Sequence, residues 1–383
     1  MSGSKRVLGL DIVRSTAIIL VLICHSLGSF IIPYLGDTMI GNVANRLIMY
    51  PFGFLGVEIF FVLSGFLIGG ILIKEVVERG SISNLLNFYV RRWFRTLPLY
   101  YLIVLFLILF PTGENFSWQN LIFLQNFSKE SLEFNSVTWS LSIEEWFYLA
   151  IPPILLIFFS ATNNKNKAKN FMIICCSIIT LSLIFRIVAL LINSDVNFDF
   201  GIRKQIFLRL DSIMFGVLFA GIKFYYTDFY DRLVRNRRRV ITFALVGLAF
   251  CIMWTGFNNR EVLNTSFFSR TIFFNIVSIA CLLFLASFET VKTTSNKFIK
   301  KWITLLSTTS YGVYLIHFQV FLIAEKLING GNLLIGIITC ILSIVITFII
   351  SYFVYKYYEI PIMNIRDKFM PKTSNKPSIK KGA

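Results

Sequence analysis

"RSTAIILVLICH" (residues 14–25) sets an arginine and a histidine at the ends of ten uncharged, mostly apolar residues. The flanks, "VLGLDIV" (7–13) and "SLGSFII" (26–32), are also mostly apolar. A run of this length predicts a membrane-spanning helix. Over eleven residues an α-helix turns roughly 1100°, three turns plus about 20°, and rises about 16 Å. Arg14 and His25 therefore share one face at different depths. Ionisable side chains are costly in lipid, so inside a span they face a cavity or a partner and mark a functional site.

The rest of the chain has the same character. Of 383 residues, 56% are hydrophobic and only 15% are charged, and the mean hydropathy is +0.71. This predicts an all-α integral membrane protein. Apolar runs near 8–32, 47–73, 96–110, 144–160, 171–192, 206–224, 240–256, 271–288, 303–324 and 333–355 predict a bundle of about ten transmembrane helices. With the N-terminus inside, the inner segments hold 27 of the 37 Lys and Arg and the outer segments hold seven. That asymmetry predicts both termini in the cytoplasm. It also accounts for the net charge of +17 without a nucleic-acid partner.

All six cysteines fall inside predicted spans, so no disulfide framework is expected. Two histidines and no Cys/His spacing argue against a metal site. Lys5 and Arg6 open the chain like a signal peptide, but Arg14 interrupts the apolar run and no small-residue cleavage site follows, so a retained first helix is expected. Segment 111–143 is the main outer feature and is too short for a domain. The tail "KTSNKPSIKKGA" (372–383) reads as basic and disordered, resting on anionic lipid.

Chemistry-bearing residues recur along the spans. His317, in "SYGVYLIHF" (310–318), is expected near the depth of His25. Arg92 and Arg95, three apart, project from one helix side, with Arg91 beside them. Arginine forks suit phosphate oxygens, whereas no glycine-rich phosphate loop appears. Glu144 and Glu145 open the fourth predicted span on its outer side. Glu144 is expected to meet His25 and orient it; the alternative is that both glutamates cap the helix start and favour its dipole. Glu58 is expected to pair with Arg14, Arg186 or Arg209. Ser64, in "VLSGF", is read as tight packing.

Seven segments share an order with a known family. Arg14-x10-His25, "GVEIFFVLSGFLI" (56–68), "RRWFRTLPLYY" (91–101), "TWSLSIEEWFYL" (138–149), "RLDSIMFGVL" (209–218), "SYGVYLIH" (310–317) and "YEIP" (358–361) together resemble the membrane-bound acyltransferase-3 family. The resemblance covers residues 8–361. It implies a transmembrane acyltransferase domain over 1–360 and a basic cytoplasmic tail over 361–383. It implies transfer of an acyl group from cytoplasmic acyl-coenzyme A, acetyl-coenzyme A above all, to a hydroxyl of a surface or lipid-linked carbohydrate, in a bacterial inner membrane. Under it, His25, Arg14 and Glu144 are the catalytic residues. Arg91, Arg92 and Arg95 bind the donor; Trp139, Ser140 and His317 shape the acceptor site. His25 acts as general base or as an acyl-histidine relay. Some family members carry an extracytoplasmic hydrolase-like domain; here the expectation is none, with any such help from a partner. The rival expectation is a proton-coupled transporter of a small polar solute, although no inverted repeat supports it.

Overall fold

The computed structural model describes residues 6–110, 115–127, 134–162, 166–328, 331–366 and 368–369. All regular structure among these residues is helical. Ten apolar helices carry the fold: α1 (Leu8–Phe30), α2 (Met39–Glu78), α3 (Ile82–Leu109), α4 (Ser136–Ala161), α5 (Lys167–Ile192), α6 (Leu210–Tyr225), α7 (Arg237–Phe257), α8 (Phe273–Phe288), α9 (Lys297–Leu327) and α10 (Leu333–Arg366). Eight are long and apolar enough to cross a membrane. The exceptions, α6 and α8, have 16 residues each, about 24 Å of helix against a hydrocarbon core of about 30 Å. Ten apolar helices stand where about ten spans are expected; eight of them meet the length and composition of a full span and two are shorter.

Polar side chains set several boundaries. Ser81 accepts from the Asn84 amide at the start of α3, 3.1 Å away. Asn296 accepts from the Phe298 and Ile299 amides at the start of α9. Such caps satisfy amides that the first turn leaves without partners. α3 begins at Ile82 and α4 at Ser136, not at 96 and 144 as apolar runs alone suggest. The arginines and glutamates that lower local hydropathy lie about two to four turns into these helices. α10 continues to Arg366, past the expected tail boundary at 361; residues 372–383 lie outside the described residues.

The core is organised around α2, which packs on α6, α1 and α8. Two glycines bring α2 and α6 close: a Cβ on Gly65 would strike the Ile213 carbonyl, and one on Gly216 the Val62 carbonyl. Small residues at a helix crossing gain van der Waals contact where lipid supplies no hydrophobic drive. Around the same crossing lies a fully buried ion network. Arg209 donates to both Glu58 oxygens at 2.8 Å, and Arg186 donates to Asp211 at 2.8 Å and to Asn275 at 2.6 Å. Glu58 thus takes Arg209 from its three expected partners.

Candidate active site

Two cavities among the described residues bear on the site. The first, about 780 Å³, lies between α1, α2, α3, α4, α6 and α9. Six cations line it: Arg14, Lys74, Arg91, Arg92, Arg95 and Lys223, against Glu75 and Glu144. The second, about 430 Å³, holds His25, Trp139, Asp199, Arg203, Lys204 and Arg260. Val57 and Tyr314 line both, so they form the wall between them. Tyr314 is held in place by two bonds: its hydroxyl is 2.8 Å from the Val137 carbonyl and 2.7 Å from Ser140 Oγ.

The shared face of α1 spans this wall. Arg14 lines the first cavity and donates to Ser307 at 3.3 Å. His25 lines the second. Behind it His317 is fully buried, with ring centroids 5.1 Å apart. His317 Nδ1 lies 3.0 Å from the Val313 carbonyl. A carbonyl only accepts, so Nδ1 carries the proton and Nε2 keeps its lone pair. Nε2 is buried and has no hydrogen-bond partner among the described residues. His317 thus backs His25 instead of lining either cavity.

Glu144 sits elsewhere than expected. Because α4 starts at Ser136, Glu144 lies two turns into the helix, about 12 Å from its start. It faces the first cavity, where Arg92 donates to it at 2.8 Å, Ser64 at 3.0 Å and Tyr148 at 3.1 Å. The expected His25–Glu144 pair is therefore replaced by an Arg92–Glu144 pair. Glu145 is no helix cap either; it lies 3.7 Å from Arg92. Ser64 serves this cluster as a hydrogen-bond donor, beyond packing. Arg92 also lies 4.1 Å from the Tyr148 ring centre, so Glu144, Glu145 and Tyr148 already hold it, whereas Arg95 is exposed and lines the cavity. Ser140 faces the first cavity and Trp139 the second.

Sequence reasoning missed the turn between α5 and α6. There Asp199 is shared by Arg203 at 2.8 Å and Lys204 at 2.6 Å. Burial opposes its charge, but the two cations prevail and hold its carboxyl below the usual carboxylate range. The signal available was the rarity of cations in the segments expected outside. Tyr314 was missed too, although it lies three residues before His317, on the same helix face.

A family model described as an acyltransferase domain, acyltransferase 3, matches residues 7–354. The chain belongs to the acyltransferase-3 family. Among curated relatives of this family, the O-acetyltransferase OatA of Staphylococcus aureus is 25% identical over 352 residues, covering 84% of this chain and 55% of the relative. The peptidoglycan O-acetyltransferase OatA of Listeria monocytogenes is 25% identical over 339 residues, covering 81% of this chain and 51% of the relative. The chain thus spans about half the length of these relatives. No solved structure matches it. Membership identifies a multi-pass membrane protein of an acyltransferase family and gives no support to the transporter reading.

Proposed function

We propose that this protein transfers an acetyl group from cytoplasmic acetyl-coenzyme A to a hydroxyl of a cell-surface carbohydrate. The observation that carries the reading is the pair of cavities that meet at Val57 and Tyr314, cation-lined on one side and His25-lined on the other. Coenzyme A carries several phosphate charges, and a cavity with six cations against two carboxylates suits them. The thioester then reaches toward Tyr314, and the acceptor enters beside His25. His25 takes the acceptor's hydroxyl proton, the oxygen bonds to the acetyl carbon, and the C–S bond breaks. The departing thiolate recovers that proton. His317 backs the His25 ring, with ring centroids 5.1 Å apart, and holds it toward the acceptor side as the base. Arg14 stabilises negative charge near the thioester, and the Arg92–Glu144 pair fixes the donor wall. An acyl-histidine relay through His25 uses the same groups. The acceptor class rests on the relatives, one of which is named for peptidoglycan. The direct test combines purified protein, labelled acetyl-coenzyme A and cell-wall glycan. Label in the glycan is expected; consumption of acetyl-coenzyme A only by water, or not at all, refutes the transfer.

The engaged state of Arg92 changes which arginine best tests the donor. Arg95→Ala is expected to weaken acetyl-coenzyme A binding roughly ten- to a hundredfold, the loss of one charged phosphate contact, about 1.5–3 kcal/mol. Folding should be unaffected, since Arg95 leaves no ion-paired carboxylate behind. Titration of coenzyme A on the folded variant checks this, and an unchanged affinity moves the donor phosphates elsewhere.

The orientation has its own test. Both termini are proposed to be cytoplasmic, from the distribution of Lys and Arg. Asn115 is exposed between α3 and α4. In intact cells, Asn115→Cys should react with an impermeant thiol reagent on a background lacking reactive native cysteines. Labelling only after permeabilisation reverses the topology.

A further inference from the structure

We propose that the second cavity binds an anionic saccharide: the acceptor carries a carboxylate or phosphate that Arg203, Lys204 and Arg260 hold while a hydroxyl is presented to His25. This deepens the transfer reading and rests on it for the role of His25. Three cations and one carboxylate line this cavity, and Asp199 is already shared by Arg203 and Lys204. Two formal positive charges therefore stay unmatched, which a neutral sugar leaves uncompensated.

Arg203 is the built part of the site. It is 7% exposed, and its guanidinium lies 4.8 Å from the ring centres of both Phe54 and Trp139. Its Nε is buried with no hydrogen-bond partner among the described residues. The same holds for Nε of Arg92, Arg186, Arg209 and Arg270, so it is the positive charge that Arg203 brings to the cavity wall that singles it out. Trp139 lines the same cavity beneath the Arg203 guanidinium, and Arg260 stands exposed at the rim. Asn126 ties the turn to α4: its amide donates to the Lys204 carbonyl at 2.6 Å and the Trp139 carbonyl at 3.0 Å. The charge distribution points the same way. Of the seven cations expected on the outer side, three converge on this one cavity. Positive charge is scarce there by the topology rule, so its clustering needs a local cause.

The test uses the full chain in lipid nanodiscs without acetyl-coenzyme A. Binding of methyl β-glucuronide (carboxylate), glucose 6-phosphate (phosphate) and methyl β-glucoside (neutral) is measured on wild type, Arg260→Gln and Lys204→Gln. At least one anionic probe should bind tenfold or more tightly than the neutral one, and the anion preferred assigns the charge type. Each variant should weaken that probe roughly tenfold to a hundredfold and leave the neutral one nearly unchanged. Raised salt should weaken the anionic probe alone. Equal binding of all three probes overturns the proposal, as does a preference that survives both substitutions. Acetyl-coenzyme A binding to each variant verifies the fold. Acetyl transfer to glycan is scored separately: anion preference without transfer keeps the site and rejects the transfer reading, whereas transfer without anion preference does the reverse.

Discussion

Replacing His25 by alanine is expected to lower acetyl transfer by about 10²- to 10⁴-fold while donor binding stays near normal. His25 lines the second cavity, and the cations proposed for the donor phosphates line the first. The two ends of the α1 motif are separated by about 16 Å along the axis, so removing the imidazole touches the chemical step and few donor contacts. Folding should tolerate the change, because His25 makes ring contacts with His317 and Phe318 and carries no ion pair. His317→Ala should cost less, since it acts on His25 and never touches the acceptor. Donor titration and transfer are to be measured on one purified His25→Ala sample. Near-normal transfer removes His25 from the chemistry; lost donor binding moves it into the donor site. A wild-type protein trapped with acetyl on His25 would select the relay over the general base.

The second large effect falls on stability. Glu58→Ala should destabilise the bundle by about 3–5 kcal/mol, because it leaves the buried Arg209 with only the Asp211 carboxylate, 3.7 Å away and already bonded to Arg186. Both residues are fully buried, and Ser212 also donates to Glu58 at 3.0 Å. The double variant Glu58→Met with Arg209→Met removes both charges and should recover much of the loss, since apolar side chains of similar volume can replace a buried pair. Thermal unfolding in detergent reads both. A single variant as stable as wild type would show that the pair contributes nothing net. Glu58 is the neighbour of Val57, so this network also fixes the rotation of α2 that places Val57 in the wall between the cavities.

Much of this was legible in the sequence, and the failures share one cause. The extent of α1 follows from its continuous apolar run. α3 and α4 begin 14 and eight residues before the expected spans, because hydropathy counts Arg91, Arg92, Arg95, Glu144 and Glu145 as if each met lipid alone. In the fold Arg92 meets both glutamates, and most of this group faces a shared cavity, so their cost in lipid never arises. The same shift moved Glu144 two turns deeper and away from His25. Which cation takes Glu58 was also beyond the pattern, since three arginines lie within predicted spans and only tertiary packing selects Arg209.

The wall of Val57 and Tyr314 has an electrical meaning. A membrane voltage drops mainly across its insulating part, and polar cavities on either side thin that part to the wall itself. Moving one elementary charge across 100 mV takes about 2.3 kcal/mol. In the proposed transfer the acetyl group leaves its bonding electrons on sulfur and the acceptor's proton returns to that sulfur, so the exchange moves no net charge across the wall, and the coenzyme and its phosphates stay on their own side. In the proposed orientation, the step that carries carbon through the wall is therefore indifferent to the cell's energised state. The wall itself must remain closed to protons and small ions whenever the site is empty.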